Sequence, residues 1–487
     1  MIPRATYRLQ FRREFTFADA IALVPYFRQL GISHIYASPI LAARKGSAHG
    51  YDVIDHSRIN PELGGEEGFR AAVARLHEHG LGIIVDIVPN HMAVDGGNAW
   101  WMDVLERGRE SPHARNFDID WDSPDPSLQD RVLVPILGKP FAHALADGEI
   151  ALARDDNSGK IAVAYFEHRL PLRPEDAQAL AATSIERFRS PEAMATLLDR
   201  QHYRLAWWRT AGDLINWRRF FDINDLIALR VEDDAVFEAV HAKHLALYAE
   251  GLIDGFRVDH VDGLADPAAY CRKLRQRMNS LSAERGYLVV EKILASGEEL
   301  PLEWEVDGTT GYDFMNDVSA VLHDASGADP LADEWAAISG RPYDFESEER
   351  RARRDRLDVK FRGAFEAAAR AFFATRPRET RDMTLASVKR ALSRLYAQLR
   401  IYRCYATGDN NSPIMGARFD EAFERARYRA PENDSAALTH IAETLEGRAP
   451  APAVESRKIA ARRFNQLAAS LAAKAGEDTA FYRYGRL

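Results

Sequence analysis

The stretch Gly82-Ile-Ile-Val-Asp-Ile-Val88 is almost continuously apolar, and a strand with no polar face must be covered on both sides. Strands of that kind belong to parallel sheets whose helical crossovers lie on both faces. The flanking sequence repeats the pattern. A first strand is predicted at 7–11, followed by a helix with Thr16 as N-cap and Asp19 three residues on. That helix should carry Leu23, Phe27 and Leu30 on one face and end at Gly31. Pro25 should kink or divide it. A second strand at 32–39 and a helix bearing Phe69, Val73 and Leu76, stopped by Gly80, complete the approach to 82–88. Strand and helix alternating at this pace predict a barrel or a doubly wound sheet.

From 92 to 235 the rhythm breaks, with Trp100 and Trp101 in a loop and a hairpin predicted at 150–153 and 161–166 around a turn at 155–159. Such a stretch reads as a subdomain inserted on a barrel rim. The rhythm then resumes with a helix at 234–250, a strand at 254–260, a helix at 267–282 and a strand at 287–293. Residues 326–400 read as helical, and their charged run at 346–356 as the solvated face of a helix. A sixth strand is predicted at 399–405, and 415–475 reads as helical apart from a loop at 449–453. The expected division is therefore 1–91 as the first part of a catalytic barrel, 92–235 as the insertion, 236–325 as barrel continuation, 326–398 as helical insertion and 399–487 as sixth strand plus helices.

Composition narrows the function classes. The 487 residues, 46% hydrophobic, suffice for a large core. A net charge of −9 has the wrong sign for a general nucleic-acid binder and suits a neutral substrate. The two cysteines, Cys271 and Cys404, lie far apart without metal-ligand spacing, so neither a disulfide framework nor a metal site is predicted. No apolar leader and no run near the roughly 18 residues of a membrane span are seen. A soluble cytoplasmic protein is expected, with no membrane or nucleic-acid partner.

Two carboxylates stand where chemistry would need them. Asp259 closes the run Gly255-Phe-Arg-Val-Asp259 and Glu291 closes Tyr287-Leu-Val-Val-Glu291, so consecutive strands each present an acid at the C-terminal end. Glycosidic-bond chemistry with retention uses such a pair about 5 Å apart, one attacking the anomeric carbon and the other moving the proton. Arg257, two residues before Asp259 on the same strand, should share its face and hold its carboxylate ionised.

Three segments, Asp86-Ile-Val-Pro-Asn-His91, Gly255-Phe-Arg-Val-Asp-His260 and Val290-Glu291, resemble signature regions of the α-amylase superfamily. The resemblance implies a (β/α)8 TIM barrel with Asp259 as nucleophile, Glu291 as general acid/base and Arg257 as partner of the nucleophile. His91 would bind sugar at the cleavage subsite, with Asp86 and Asn90 shaping the loop. A narrower resemblance runs along nearly the whole chain, to the glucosylmutase branch that forms maltooligosyltrehalose. It is carried by Tyr7-Arg-Leu-Gln-Phe11, Tyr36-Ala-Ser-Pro39, Gly46-Ser-Ala-His-Gly-Tyr-Asp-Val53, Asn216-Trp-Arg-Arg-Phe-Phe-Asp-Ile-Asn224, Val290-Glu-Lys-Ile-Leu294, Gly308-Thr-Thr-Gly-Tyr-Asp-Phe314 and Glu477-Asp-Thr-Ala-Phe-Tyr-Arg-Tyr484.

That branch implies a maltooligosaccharide substrate and no cofactor. It puts Tyr51 and Asp52 at the donor sugar and His260 and Lys292 near the reducing end. The implied reaction converts the reducing-end α-1,4 linkage to an α,α-1,1 linkage. A hydrolase or 4-α-glucanotransferase of the same fold, and a glucan-binding fragment without activity, are the alternatives. The superfamily's fourth signature, a His-Asp pair after the seventh strand, has no counterpart here. The expectation is a barrel left incomplete at its C-terminal end, with a complementing C-terminal chain as a partner.

Overall fold

The computed structural model describes residues 2–154, 159–181, 185–409, 415–449 and 454–486. The predicted turn at 155–159 falls almost wholly, and the loop at 449–453 largely, outside these residues. Contacts divide the chain into one unit of residues 1–259 and 274–288 and a second of 260–273 and 289–487.

The first unit is organised by parallel strands β1 (Thr6–Leu9), β2 (His34–Ala37), β3 (Gly82–Ile87) and β4 (Gly255–Val258), in the order β1-β2-β3-β4, followed by β5 (Tyr287–Val290). The register is parallel throughout, with Tyr7 opposite Ile35, Ile35 opposite Ile83, and Ile84 opposite Gly255. In β3 every residue after Gly82 is buried, as its sequence requires. Between β1 and β2 runs α1 (Phe17–Gln29), and before β3 runs α2 (Gly65–Glu78), which buries Phe69, Ala72, Val73 and Leu76. Phe17 and Phe69 meet edge to face at 5.5 Å, joining the two helices.

Two expectations for α1 are corrected. Its buried residues are Phe17, Ala20, Val24 and Phe27, whereas Leu23 and Leu30 are exposed. The helix also runs unbroken through Pro25, which lies on the exposed side. The carbonyl that loses its donor there can be hydrated, so one missing bond does not end the helix.

Residues 92–235, read from the sequence as an insertion, carry small sheets. Val132–Leu137 pairs with Tyr203–Trp207 in parallel, and Ile150–Arg154, Ile161–Tyr165 and His168–Pro171 form an antiparallel meander. Asn216 and Trp217 anchor this stretch. Leu133 N–H donates to Asn216 Oδ1 at 3.0 Å, and Trp217 Nε1 donates to the Leu133 carbonyl at 2.8 Å.

Strand Val53–Ile59 lies on α3 (Asp234–Ala249), and the histidines between them are unusual. His56, His241 and His244 are all buried. His241 Nδ1 contacts the Phe237 carbonyl at 2.7 Å, but the four ring nitrogens of His56 and His244 have no hydrogen-bond partner among the described residues. Burial, with His241 nearby, pushes His56 down to about 3, and His244 lies well below its ordinary value for the same reasons.

The second unit continues with the end of β5, where Val289 and Val290 pair in parallel with β6 (Gly308–Thr309). Its bulk is helical. Helices Arg362–Ala374, Leu385–Gln398, Gly416–Arg427, Glu432–Leu445 and Val454–Leu471 enclose a core that includes Phe372, Leu392, Tyr396, Phe419 and Phe464. Tyr396 and Phe464 stack at 4.8 Å. The last helix passes into a π-helical stretch, Ala472–Phe481.

Here too the structure corrects the sequence reading. The sixth strand is β6, and residues 399–405 form none. Their backbone is held by side chains instead. Cys404 N–H donates to Asn465 Oδ1 at 3.1 Å, and Tyr405 takes a positive φ of 56° that no strand accommodates. The charged run lies on the helix Phe345–Val359, but Glu348 and Arg353 within it are buried. Each carries its counter-ion inward: Glu348 accepts from Arg341 at 2.7 Å, and Arg353 donates to Glu349 at 2.7 Å. Paired charges occupy core-facing positions that charge patterning alone assigned to solvent.

Candidate active site

At the C-terminal ends of β3 and β4, an ion-pair chain joins three of the expected residues. Arg257 Nη1 donates at 2.8 Å to both Asp86 Oδ1 and Asp259 Oδ1. All three side chains are nearly inaccessible, and Asp259 N–H continues the sheet by donating to the Ile87 carbonyl at 2.9 Å. One buried guanidinium shared by two carboxylates fixes the Asp259 side chain and offsets the buried charge. The face-sharing predicted from the two-residue spacing is what brings Arg257 to Asp259.

Asp86 is the hub of a wider network. Its Oδ2 accepts from Tyr51 Oη at 2.5 Å, Tyr36 Oη at 3.0 Å and Arg8 at 3.4 Å. Arg8 also donates to Tyr51 Oη at 2.9 Å, and its guanidinium lies over the Tyr36 ring at 4.6 Å. Burial and the Asp86 carboxylate hold both phenols protonated, far above their ordinary range. Arg8 and Tyr36 were not singled out from the sequence, although both lie in stretches that carried the narrower resemblance.

The other expected residues of this unit surround Tyr51. Asp52 is buried and accepts from the Ser47 hydroxyl. His91 is fully enclosed, its Nε2 3.1 Å from the Tyr51 carbonyl and its ring 4.4 Å from that of Phe220. Burial lowers its pKa to about 3, so it is neutral. Asn90 Oδ1 accepts from Arg218 at 2.9 Å.

In the second unit, the backbone N–H of His260 donates to Glu291 Oε2 at 2.8 Å, from a residue with φ of 46°. Lys292 is buried, donating to the Ile293 carbonyl at 2.8 Å and pairing with Glu298 at 3.1 Å and Asp262 at 3.5 Å. Its ammonium also lies 5.7 Å from the rings of both Tyr402 and Tyr405. Tyr405 Oη donates to Asp262 at 2.7 Å, and Arg403 donates at 2.7 Å to the carbonyls of Asp262 and Leu264, fixing the turn after His260. Tyr402 donates to Glu477 at 2.5 Å. Asp262 carried no sequence signal. Tyr402, Arg403 and Tyr405 were read as part of a strand, and Glu477 opens a stretch noted only for its resemblance.

No group of three or more His, Cys, Asp or Glu among the described residues is arranged to hold a metal ion. No helix of the described residues is long and apolar enough to cross a membrane.

Residues 20–130 match the α-amylase catalytic domain. Over 94 residues, 19% of this chain and 15% of the relative, there is 37% identity with an intracellular maltogenic amylase of Bacillus subtilis. With the parallel strand order, these set the fold class: six strands of a (β/α)8 plan among the described residues, interrupted by helical insertions, with a stretch similar to the α-amylase catalytic domain. Within that class a closer relationship covers almost everything. Over 99% of its length the chain is 37% identical to a Mycobacterium tuberculosis protein named for maltooligosyl trehalose synthase, of which it covers 57%. The structure of maltooligosyltrehalose synthase from Arthrobacter ramosus matches 100% of the chain at 36% identity with a TM-score of 0.83, and the chain again covers 57% of it. The chain is thus similar to maltooligosyltrehalose synthases along almost its whole length, and it spans a little over half the length of these relatives.

Proposed function

We propose that the chain carries the catalytic carboxylates of a glucosylmutase that converts the reducing-end α-1,4 linkage of a maltooligosaccharide into an α,α-1,1 linkage. Asp259 attacks the anomeric carbon of the penultimate glucose while Glu291 gives its proton to the departing O4. The freed glucose stays in the site and turns. Its anomeric hydroxyl, deprotonated by Glu291, then displaces Asp259 to give a trehalose-capped chain. Exclusion of water separates this outcome from hydrolysis. Arg257 and Asp86 brace the nucleophile. Tyr51, Asp52, Asn90, His91, His260 and Lys292 form the sugar-binding surround, with sugar contact at His91 requiring its bond to the Tyr51 carbonyl to open. The remaining barrel strands come from polypeptide equivalent to the rest of the relatives' length. We place the activity in the cytoplasm, where Cys271 and Cys404, both free, remain reduced.

The observation that carries this reading is one of extent: likeness to the synthases covers 99% of the chain, likeness to the maltogenic amylase 19%. The test is incubation with maltopentaose, following reducing ends and free glucose, with Asp259→Asn as blank. Reducing ends that disappear without matching glucose support the mutase. Glucose released with a gain of reducing ends makes the chain a hydrolase. No change beyond the blank refutes turnover by this chain alone.

A further inference from the structure

Residues 216–224, one of the stretches behind the narrower resemblance, have no part in the chemistry just proposed, yet Arg218 within them holds three acceptors at once. Its Nη1 donates to Asn90 Oδ1 at 2.9 Å, its Nε to Asp118 Oδ2 at 2.9 Å and its Nη2 to the Leu229 carbonyl at 3.0 Å. Leu229 N–H in turn donates to the Asn90 carbonyl at 2.9 Å. Guanidinium and asparagine are therefore tied to the same stretch of backbone. Phe220, two residues further on, packs its ring 4.4 Å from that of His91.

A guanidinium carries donors only. The Asn90 atom that faces it must be the carbonyl oxygen, which turns the NH2 group toward His91, whose Nδ1 lies 3.4 Å away. An NH2 group offers hydrogens, so Nδ1 meets it with a lone pair. On the other side of the ring, Nε2 lies 3.1 Å from the Tyr51 carbonyl, a group that only accepts. His91 is neutral because burial depresses it, and a neutral imidazole has hydrogen on one nitrogen alone. Both neighbours select the same form, with hydrogen on Nε2. The Tyr51 carbonyl accounts for one half of that selection, and the Asn90 amide, as Arg218 orients it, for the other.

We propose that Arg218 is a positioning residue that sets the tautomer of His91 by fixing which way the Asn90 amide points. The guanidinium turns the amide, the amide takes the Nδ1 lone pair, and Nε2 is left as the donor. Delivery of that hydrogen to a sugar oxygen, once the bond to the Tyr51 carbonyl opens, rests on the glucosylmutase reading; the tautomer itself does not. Without the guanidinium the amide can reverse and offer Oδ1 to Nδ1. That favours hydrogen on Nδ1 and sets the Nε2 lone pair against the Tyr51 carbonyl.

Nitrogen NMR of the histidine-labelled chain reads the tautomer directly, with His91 assigned by its disappearance in His91→Gln. The parent should show hydrogen on Nε2 and none on Nδ1. Arg218→Met combined with Asp118→Asn, which strands no carboxylate, should bring the Nδ1–H form into view. Asn90→Asp keeps the side-chain shape, leaves Arg218 paired and puts only acceptors against Nδ1, so it too should bring hydrogen there. It decides the matter if the Arg218 variant does not fold. Hydrogen on Nδ1 in the parent, or the Nε2–H form alone in either folded variant, overturns the proposal. In an Asp259→Asn background the same changes should weaken maltopentaose binding about tenfold, the worth of one buried donor. A chain that binds no maltopentaose but shows both tautomer shifts would refute the glucosylmutase reading and uphold the role of Arg218.

Discussion

Lowering the pH from 8 to 5 should destabilise the first unit through histidines it holds neutral. His56 and His91 sit near 3 in the folded chain against an ordinary value of 6.5, in each case chiefly because burial penalises the charged ring. Because the folded values are depressed, the unfolded chain binds protons first. Stability is complete above about pH 6.5 and falls as the pH drops from there toward 3, by about 1.4 kcal/mol per pH unit for each ring. At pH 5 that is about 2 kcal/mol apiece and about 4 kcal/mol together, with His244 adding to it in the same direction. Against typical stabilities of about 5–15 kcal/mol this is a large fraction. Neither neighbour can absorb the proton for His56: the groups that reach it are His241, which opposes the charge, and Asp55, whose help is smaller. Urea unfolding, followed by hydrogen exchange in peptides covering 53–59, should show the midpoint falling by about 1 M or more between pH 8 and pH 5. His56→Leu should remove about one proton's worth of that slope. Equal midpoints at the two pH values, or an undiminished slope in the variant, would refute the reasoning.

Two further outcomes follow from the strand ends. Arg257→Met leaves the Asp86 and Asp259 carboxylates buried without the cation they share, and should cost about 3–5 kcal/mol, read as a drop in thermal midpoint; a shift under 2 °C would mean the carboxylates are relieved by other groups. Gly255→Ala would put a Cβ 2.1 Å from the Tyr287 carbonyl oxygen, so β5 must move away from β4. A loss of at least about 2 kcal/mol is expected, and a variant as stable as the parent would show that the strands give way freely.

The barrel strands and the carboxylates at their ends were legible because period and burial agree there: β3 reads apolar and is enclosed, and Asp259 and Glu291 end strands found within a few residues of their predicted limits. What escaped the sequence depends on long-range pairing. Residues 399–405 have strand-like composition, but the bonds that decide their path come from Asn465 and from Arg403 reaching the turn after His260. Glu348 and Arg353 read as surface charge because their partners' approach cannot be seen in one helix. Leu23 and Leu30 fit a helical face as well as Val24 and Phe27 do, and only the position of the sheet selects between them. Arg8 and Tyr36 reach Asp86 from 78 and 50 residues away, separations at which no local pattern carries information.

The bond that steadies Glu291 comes from the main chain, at a residue whose backbone occupies the left-handed region. Replacing the His260 side chain leaves that donor in place, so an alanine scan across this segment would score the position as if its only contribution were an imidazole. What that scan misses is the backbone preference, which asparagine or glycine would preserve and a β-branched residue would break. The donor itself yields only to proline or to an amide-to-ester exchange. Part of what holds the acid is thus written in a torsion angle, and drift in side-chain identity can pass over it unnoticed.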